Sequence, residues 1–276
     1  MMIVNKLEKD SKLLKKKGKK VFVPFLVIGD PDEETFFQII QVIEPFADII
    51  ELGIPYTDPV ADGPVIQSAD ARAFSAGMDF AMACKLIKKV REHTAKPIVI
   101  LTYCNVIGIE ENRKESTLSR LAKAGVNGII IADMPIEESH MYLPTVKQYG
   151  MDLIFLVAPT TTPSRLNEIS NKATGFLYLV ALKGVTGARS HLLKDTSELI
   201  TRVKEINVDV PAYVGFGISK PEHVEGILGS GADGVIVGSA IIKKIEENIQ
   251  NKTKMLDEIQ KFVKSLKNAT MLKKGD

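Results

Sequence analysis

The sequence predicts an α/β protein, a single (β/α)8 TIM barrel formed by one domain, residues 1–276. Eight short apolar segments occur along the chain, and each is followed by a segment with the apolar spacing of a helix. Eight such units in succession predict a parallel sheet with helical crossovers, and 276 residues is a usual length for a closed barrel of this kind. An open doubly wound sheet is the alternative, but the chain lacks the glycine-rich turn that such folds place after their first strand.

The predicted strands are continuous apolar runs, the pattern of strands that are buried on both faces. In the first, residues 21–27, no charged side chain occurs, and Gly29-Asp30-Pro31 ends the run. In the second, residues 49–52, a carboxylate interrupts the run at Glu51. The other six strands are predicted at residues 97–101, 128–131, 153–157, 176–180, 212–214 and 234–237.

Apolar residues three and four positions apart predict the helices between these strands. An N-terminal helix in residues 1–20, with a sparse apolar face that includes Leu7 and Leu13, precedes the barrel, and a helix from Met255 covers it. Residues 268–276 are predicted to form a disordered tail. The remaining helices are predicted at residues 33–46, 65–76, 81–93, 118–123, 137–148, 163–171, 196–205 and 221–228 and from residue 239.

Composition narrows the functional class. The formal charge is +2, and because residues 12–20 carry six lysines the rest of the chain carries −4, which is not the charge of a nucleic-acid-binding domain. These lysines are expected to solvate one face of the N-terminal helix, with a docking or RNA-binding tail as the alternative. Cys84 and Cys104 have no CxxC spacing and the histidines form no HExxH pattern, so neither a disulfide nor a metal site is expected. The cytoplasm is the expected location, since no signal peptide or membrane-spanning segment is recognisable.

Two carboxylates mark the candidate active site. Glu51 lies near the end of the second predicted strand, and Asp62 follows in a loop rich in proline and glycine, here called loop two. In a barrel the loops after the strands form the working face, so we expect the two acids to share one pocket. Different environments can then separate their pKa values and their roles. The structural alternative is that backbone amides at the strand end hold Glu51.

Glycines follow the sixth, seventh and eighth predicted strands, and Gly238 stands directly before a helix start at Ser239. Glycine lets backbone amides approach an anion, and a helix N terminus adds partial positive charge, so loops seven and eight predict a phosphate site. Tight turns without a ligand are the alternative. Apolar residues at or near strand ends would line the rest of the pocket or belong only to the core: Phe25, Leu101, Ile130, Tyr178 and Phe216.

The chain resembles a known family, the α subunit of tryptophan synthase, along its whole length. The most specific match is the run from Glu51-Leu52-Gly53 to Asp58-Pro59-Val60-Ala61-Asp62-Gly63-Pro64, with Gln67 after it. The other matches are Pro24-Phe25 with Gly29-Asp30-Pro31, Tyr103 with Asn105, Ala132-Asp133 with Pro135, Gly184-Val185-Thr186-Gly187, Gly215-Phe216-Gly217-Ile218-Ser219 and Gly238-Ser239-Ala240.

The resemblance implies a lyase of tryptophan biosynthesis that cleaves indole-3-glycerol phosphate to indole and glyceraldehyde 3-phosphate by a retro-aldol reaction. It implies that Glu51 transfers protons, that Asp62 hydrogen-bonds the indole N–H, and that Thr186 lies in a closing lid and helps to position Asp62. The implied phosphate-binding residues are Gly187, Phe216, Gly217, Gly238 and Ser239, and the implied indole-binding residues are Phe25, Leu101, Ile130 and Tyr178.

The resemblance also implies a partner. In the family a separate β subunit, which carries pyridoxal phosphate, joins indole to serine, and the expected assembly is an α2β2 heterotetramer. No cofactor is expected in this chain. Loop two, with Pro55, Tyr56 and Asp58, resembles the surface on which the β subunit docks, and the alternative is a loop packed only on its own barrel.

Departures from the family pattern are few. Ala181 stands where a serine is frequent, so no hydroxyl contact near the phosphate is expected from this position, and Leu182 leaves the lid without an arginine. Val27 stands where a threonine is frequent. Two other functions stay open at this point: a free-standing lyase that releases indole without a partner, and a catalytically weak barrel that mainly regulates a β subunit.

Overall fold

Eight parallel strands form a closed barrel in the order β1 to β8, and β8 pairs with β1. The computed structural model describes residues 5–108, 116–180, 189–206, 209–215 and 217–271, without the side chains of residues 189–194. Closure confirms the predicted (β/α)8 barrel and excludes the open sheet. The strands are β1 Val21–Val27, β2 Ile50–Gly53, β3 Ile98–Thr102, β4 Gly128–Ile131, β5 Asp152–Val157, β6 Leu177–Val180, β7 Ala212–Gly215 and β8 Gly234–Val237.

Helices connect the strands and surround the barrel. Two short 3-10 helices, Glu44–Phe46 and Ile136–Glu138, adjoin the second and seventh helices. The helices are α1 Lys6–Lys16, α2 Glu33–Ile43, α3 Pro64–Ser75, α4 Phe80–His93, α5 Cys104–Ile107, α6 Thr117–Lys123, α7 Ser139–Gln148, α8 Pro163–Lys172, α9 Arg189–Ile206, α10 Pro221–Gly229, α11 Ser239–Glu247 and α12 Lys252–Ala269.

Local sequence explains where these elements begin and which face they bury. All seven residues of β1 are buried, as expected of a parallel strand covered on both sides. α2 begins after Asp32, whose carboxylate accepts a hydrogen bond from the Thr35 N–H at 2.9 Å. Its buried side chains, Phe36, Ile39 and Ile40 among them, recur at helical spacing and pack on the barrel core.

The register of the strands decides which side chains share the barrel interior. Phe25, Glu51 and Val99 lie side by side on β1, β2 and β3. Leu156 and Tyr178 are neighbours in the same way on β5 and β6. Paired residues of adjacent strands face the same side of a sheet, so each row presents its side chains together. The register therefore sets the level of Glu51 inside the barrel.

The first helix closes the amino end of the barrel. Leu7 is fully buried, and a Cβ atom on Gly128 would lie 2.5 Å from its Cδ2 atom, so the glycine leaves the space that the leucine fills. The carboxylate of Asp152, at the start of β5, accepts hydrogen bonds from Asn5 Nδ2 and from the Glu8 N–H, each at 3.0 Å. These contacts hold α1 across the end of the barrel opposite to the loops that follow the strands.

Several boundaries differ from the predicted ones. Leu13 is 45% exposed, because the buried positions of α1 are Leu7 and the small Ser11 and the leucine lies on another face. α9 begins at Arg189, well before residue 196, since its first turns hold only two adjacent apolar residues, Leu192 and Leu193, which show no helical spacing. α12 continues through Ala269, which is buried, so residues 268 and 269 are helix instead of tail. Residues 272–276 of the predicted tail lie outside the described residues.

Candidate active site

Glu51 is a buried carboxyl group near the end of β2. Its side chain is 0% exposed, and neither carboxyl oxygen has a hydrogen-bond partner among the described residues. The alternative in which backbone amides hold Glu51 therefore has no support in that part of the chain. Removal from water favours the neutral acid and the neighbouring Asp62 adds repulsion, which together raise the pKa of Glu51 to about 8. The group is thus mostly protonated at neutral pH.

Asp62 lies near the end of loop two, residues 54–63 between β2 and α3. Its Oδ2 atom accepts a hydrogen bond from the Tyr103 hydroxyl at 2.5 Å, and its backbone carbonyl accepts one from Gln67 Nε2 at 2.8 Å. Burial raises the pKa of the Asp62 carboxyl, and the bond from Tyr103 opposes that rise because it stabilises the ionised form. The two acids of the site therefore sit in different environments.

Glu51, Asp62 and Tyr178 share one space in the barrel. Burial is the largest cause of a raised pKa of the Tyr178 phenol, and the charges of Glu51 and Asp62 raise it further. Because β2 and β6 lie on opposite sides of the ring of eight strands, Glu51 and Tyr178 face each other only across the interior. The structure thus brings the two predicted acids together with one of the predicted indole-binding residues.

Two aromatic rings of the site occupy spaces that glycines leave open. A Cβ atom on Gly53 would lie 2.8 Å from Phe25 Cζ, and one on Gly238 would lie 2.7 Å from Phe25 Cδ1. A Cβ atom on Gly215 would collide with the ring and hydroxyl of Tyr178. The Phe25 ring therefore reaches from the end of β2 to the start of α11, between the acids and the predicted phosphate site.

The other two predicted indole-binding residues are neighbours on β3 and β4. Leu101 and Ile130 are paired in register. Leu101 is partly exposed, whereas Ile130 is fully buried in the core. Of the two, Leu101 is the one that offers surface to a ligand.

The predicted phosphate site lies at loops seven and eight. Gly217, after β7, has a φ of 72°, which glycine adopts at little cost. Gly238 is the N-cap of α11 and Ser239 its first residue, so the first N–H groups of this helix have no acceptor within the helix and can face an anion. The predicted residues that lie outside the described part of the chain are Ala181, Leu182, Thr186, Gly187 and Phe216.

Loop two presents an exposed edge beside the acids. Asp58 is exposed and Tyr56 partly so, whereas Pro55 is buried and offers no surface in this chain alone. Val60, to which the sequence analysis gave no role, is 83% exposed, the largest value for a large apolar side chain in the part of the protein that the structure describes.

Two side chains next to Asp62 received no role from the sequence. Tyr103 is the hydrogen-bond donor to Asp62, and Asp70 on α3 accepts from the Tyr56 N–H. Burial, with repulsion from Asp62 and Asp30, raises the pKa of Asp70 to about 8. Asp70 could have been found, because it stands among alanines on the apolar face of its helix. Tyr103 is among the family matches in the sequence, but its contact with Asp62 forms only when loop two is folded.

The remaining features concern metal binding, membrane-spanning helices and cysteines. Among the residues that the structure describes, no group of three or more His, Cys, Asp and Glu side chains is arranged to hold a metal ion. No helix in those same ranges is long and apolar enough to cross a membrane. Cys104, on α5, is a free cysteine.

Comparison with known proteins gives the family. A family model described as tryptophan synthase alpha chain matches residues 11–271. The tryptophan synthase alpha chain of Methanocaldococcus jannaschii is 48% identical over 261 residues, which cover 94% of this chain and 91% of the relative. That of Prochlorococcus marinus is 40% identical over 270 residues, covering 96% of this chain and 94% of the relative.

Solved structures agree with the sequence relatives. The tryptophan synthase subunit alpha from Legionella pneumophila has a TM-score of 0.85 at 31% identity, covering 97% of this chain and 98% of that chain. A chain from the tryptophan synthase α2β2 complex of Pyrococcus furiosus has a TM-score of 0.81 at 37% identity, covering 90% of this chain and 98% of that chain. From its sequence and its barrel, this chain belongs to the tryptophan synthase alpha chain family.

Proposed function

We propose that this chain cleaves indole-3-glycerol phosphate to indole and glyceraldehyde 3-phosphate, with Glu51 moving the protons and Asp62 binding the indole N–H. As a member of its family the chain is a carbon–carbon lyase of tryptophan biosynthesis. The observation that carries the residue assignment is the pair of carboxyl groups in unlike environments. Glu51 is buried without a hydrogen bond from any described residue, and Asp62 receives one from Tyr103.

The reaction needs one group that gives and then takes a proton. Glu51 in its acid form protonates C3 of the indole, which places positive charge at the ring nitrogen. The Glu51 carboxylate then accepts the proton of the glycerol hydroxyl on the carbon attached to C3. The bond between that carbon and C3 breaks, its electron pair returns to the ring, and the hydroxyl carbon becomes the aldehyde. Glu51 ends the cycle protonated, as it began.

The second acid has to stay ionised throughout. A carboxylate at Asp62 offsets the positive charge that develops at the indole N–H, which is the transition-state charge that the site must stabilise. The pKa of Glu51, raised to about 8, keeps that group available as an acid, while the Tyr103 hydroxyl favours the ionised form of Asp62. Unlike surroundings thus support the division of roles between the two carboxyls.

The phosphate of the substrate would lie at the far end of the same pocket. Gly217, Gly238 and the N terminus of α11 at Ser239 supply backbone amides there, with Gly187 and Phe216 as the family's further contacts. Phe25 links this end to the acids, because its ring lies against both Gly53 and Gly238. With Leu101 and Tyr178 it would flank the indole.

The partner in this proposal is a β subunit in an α2β2 assembly, like the complex named for the Pyrococcus furiosus relative. Loop two would be the docking surface. Within it the Val60 N–H donates to the Asp58 carbonyl at 2.8 Å and the Asp62 N–H donates to the Pro59 carbonyl at 3.0 Å, so the exposed edge and the catalytic acid form one short hydrogen-bonded unit. A partner that binds Asp58 or Val60 would therefore restrict the positions that Asp62 can take.

The proposal assigns no cofactor to this chain. Pyridoxal phosphate and the joining of indole to serine belong to the β subunit. We place the chain in the cytoplasm because its two cysteines show no CxxC or other disulfide pattern in the sequence, which suits a reducing compartment. Turnover of the isolated chain separates this proposal from a free-standing lyase, and loss of turnover in the acid variants separates it from a barrel that only regulates.

The first prediction concerns the proton on Glu51. Below about pH 4.5 the folded and unfolded chains both hold this proton; above it the unfolded chain releases its proton first, and the folded chain keeps it until about pH 8. Stability due to this group therefore falls as the pH rises through that window. Glu51→Gln has no proton to release at this position. The free energy of unfolding of the variant, measured by urea denaturation, should therefore increase relative to that of wild type between about pH 5 and pH 8, by on the order of a few kcal/mol. A difference that does not change with pH would mean that Glu51 is ionised in the fold, and the exposed Glu205→Gln controls for the change of residue type.

The second prediction concerns turnover. Glu51→Gln keeps the size of the side chain and removes its exchangeable acid, so kcat for indole release from indole-3-glycerol phosphate should fall by about 10²-fold or more. Asp62→Asn should be comparably severe, because an amide cannot offset the charge at the ring nitrogen. Unchanged far-ultraviolet circular dichroism would show that both variants fold. Near-normal turnover in Glu51→Gln would remove this residue from the mechanism.

The third prediction concerns the phosphate end and uses two glycines. Gly238→Ala would push a methyl group into the Phe25 ring, and the displaced ring and amides should lower kcat/KM by about 10- to 100-fold. Gly229→Ala, at the end of α10, meets no atom within 4 Å and is the matched control. Steady-state kinetics of both variants test this. Equal kinetics in the two would remove loop eight from the site.

The fourth prediction concerns the partner. Addition of a β subunit should raise kcat more than it lowers KM, since a positional error of about 1 Å can cost about 10²-fold in rate. Asp58→Ala should weaken this activation, whereas Asp257→Ala, an equally simple loss of an exposed carboxylate on α12, should not. The measurement is indole release during titration with β subunit. Equal activation of both variants would show that the coupling does not pass through Asp58.

A further inference from the structure

We propose that Tyr103 is a positioning residue for the retro-aldol reaction, and that its hydroxyl fixes the Asp62 carboxylate so that one oxygen is left for the indole N–H. The inference rests on the proposed function and adds a residue to which the sequence analysis gave no role. It starts from the two hydrogen bonds that the Tyr103 hydroxyl makes, one to the side chain of Asp62 and one to the backbone beside it.

The direction of the Tyr103 hydroxyl follows from its neighbours. The N–H of Ala61 approaches the phenol oxygen at 3.3 Å, and a backbone N–H can only donate. The phenol proton is then directed to Asp62 Oδ2, at 2.5 Å. Because Ala61 and Asp62 are consecutive, one hydroxyl holds both the backbone and the carboxylate of this short segment. The bond uses Oδ2, so Oδ1 is the oxygen that can accept from a ligand N–H.

Tyr103 itself is firmly placed. It directly follows β3, it is 3% exposed, and its ring stacks on that of Tyr56 with centroids 4.8 Å apart and planes 24° from parallel. The Tyr56 hydroxyl accepts a hydrogen bond from Asn105 Nδ2 at 2.9 Å. The barrel wall thus supports Tyr103, whereas Asp62 lies in a loop, so the tyrosine orients the acid and not the reverse.

The acidic groups around Asp62 make this donor important. Asp62 raises the pKa values of Glu51 on β2, Asp70 on α3 and Tyr178 on β6, so these three groups favour their protonated forms, and burial favours the protonated form of Asp62 as well. Tyr103 is the side-chain donor to the Asp62 carboxylate within the part of the chain that the structure describes. Its bond favours the ionised form of Asp62, which the developing charge on the indole requires.

The test removes one oxygen atom. Tyr103→Phe keeps the ring and its stack on Tyr56 but loses the hydroxyl, so the pKa of Asp62 should rise and the acid limb of the kcat profile should move to higher pH. At neutral pH kcat should fall about 10-fold or more, with a smaller change in KM, because a hydrogen bond to a charged group is lost. The pKa of Asp62 is read without turnover from carbon-13 NMR of labelled aspartate carboxyls, with the Asp62→Asn variant identifying the resonance.

Tyr149→Phe is the matched control, since it removes a hydroxyl at the end of α7, shortly before β5 and at the end of the barrel opposite to the site. The Asp62 resonance should then titrate as it does in wild type. The inference is overturned if Tyr103→Phe leaves both the Asp62 titration and the kcat profile unchanged, and equally if both phenylalanine variants shift them alike. A wild-type chain that does not cleave the substrate with or without β subunit would overturn the proposed function instead, and the NMR titration would still decide whether Tyr103 controls Asp62.

Discussion

Closure of the barrel between β1 and β8 is the constraint on which the site depends. It brings the first and last strands together. The Phe25 ring of β1 therefore lies against Gly53 at the end of β2 and against Gly238 directly after β8. In an open sheet these two glycines would lie at opposite edges. The same closure makes β2 and β6 face each other, so the buried Glu51 lies across the interior from Tyr178. Ring closure therefore creates both the shape of the pocket and its low polarity.

Low polarity is what gives two identical functional groups different properties. Burial without a hydrogen-bond donor from any described residue raises the pKa of Glu51, whereas the Tyr103 hydroxyl, at 2.5 Å, favours the ionised form of Asp62. The strand holds the first group and the loop holds the second. The different surroundings of the two carboxyls thus favour different protonation states. The barrel wall holds the proton donor, Glu51, and loop two holds the carboxylate, Asp62.

The sequence alone predicts features that repeat along the chain and features that only a few residue types can form. Apolar runs predicted all eight strands to within two residues at their ends, and the carboxylate inside one of them pointed to Glu51. What it could not supply were contacts between distant segments. Tyr103 and Asp62 are 41 positions apart and meet only after β3 stands beside β2. The first turns of α9 have no apolar spacing from which its start could be predicted, and the four-residue α5 is too short to show a period. Leu13 was expected on the buried face of α1, but the small polar Ser11 takes the buried position beside Leu7.

The seat of the first helix has a consequence for how the chain assembles. Asn5 and Asp152 are 147 positions apart, so α1 cannot take its place in the fold until the chain as far as β5 has come together. Leu7 has neither Gly128 nor β5 beside it before then, so the apolar face of α1 is covered by distant parts of the barrel and not by its neighbours in sequence. The burial of Leu7 is therefore a sign that the barrel has formed as far as β5.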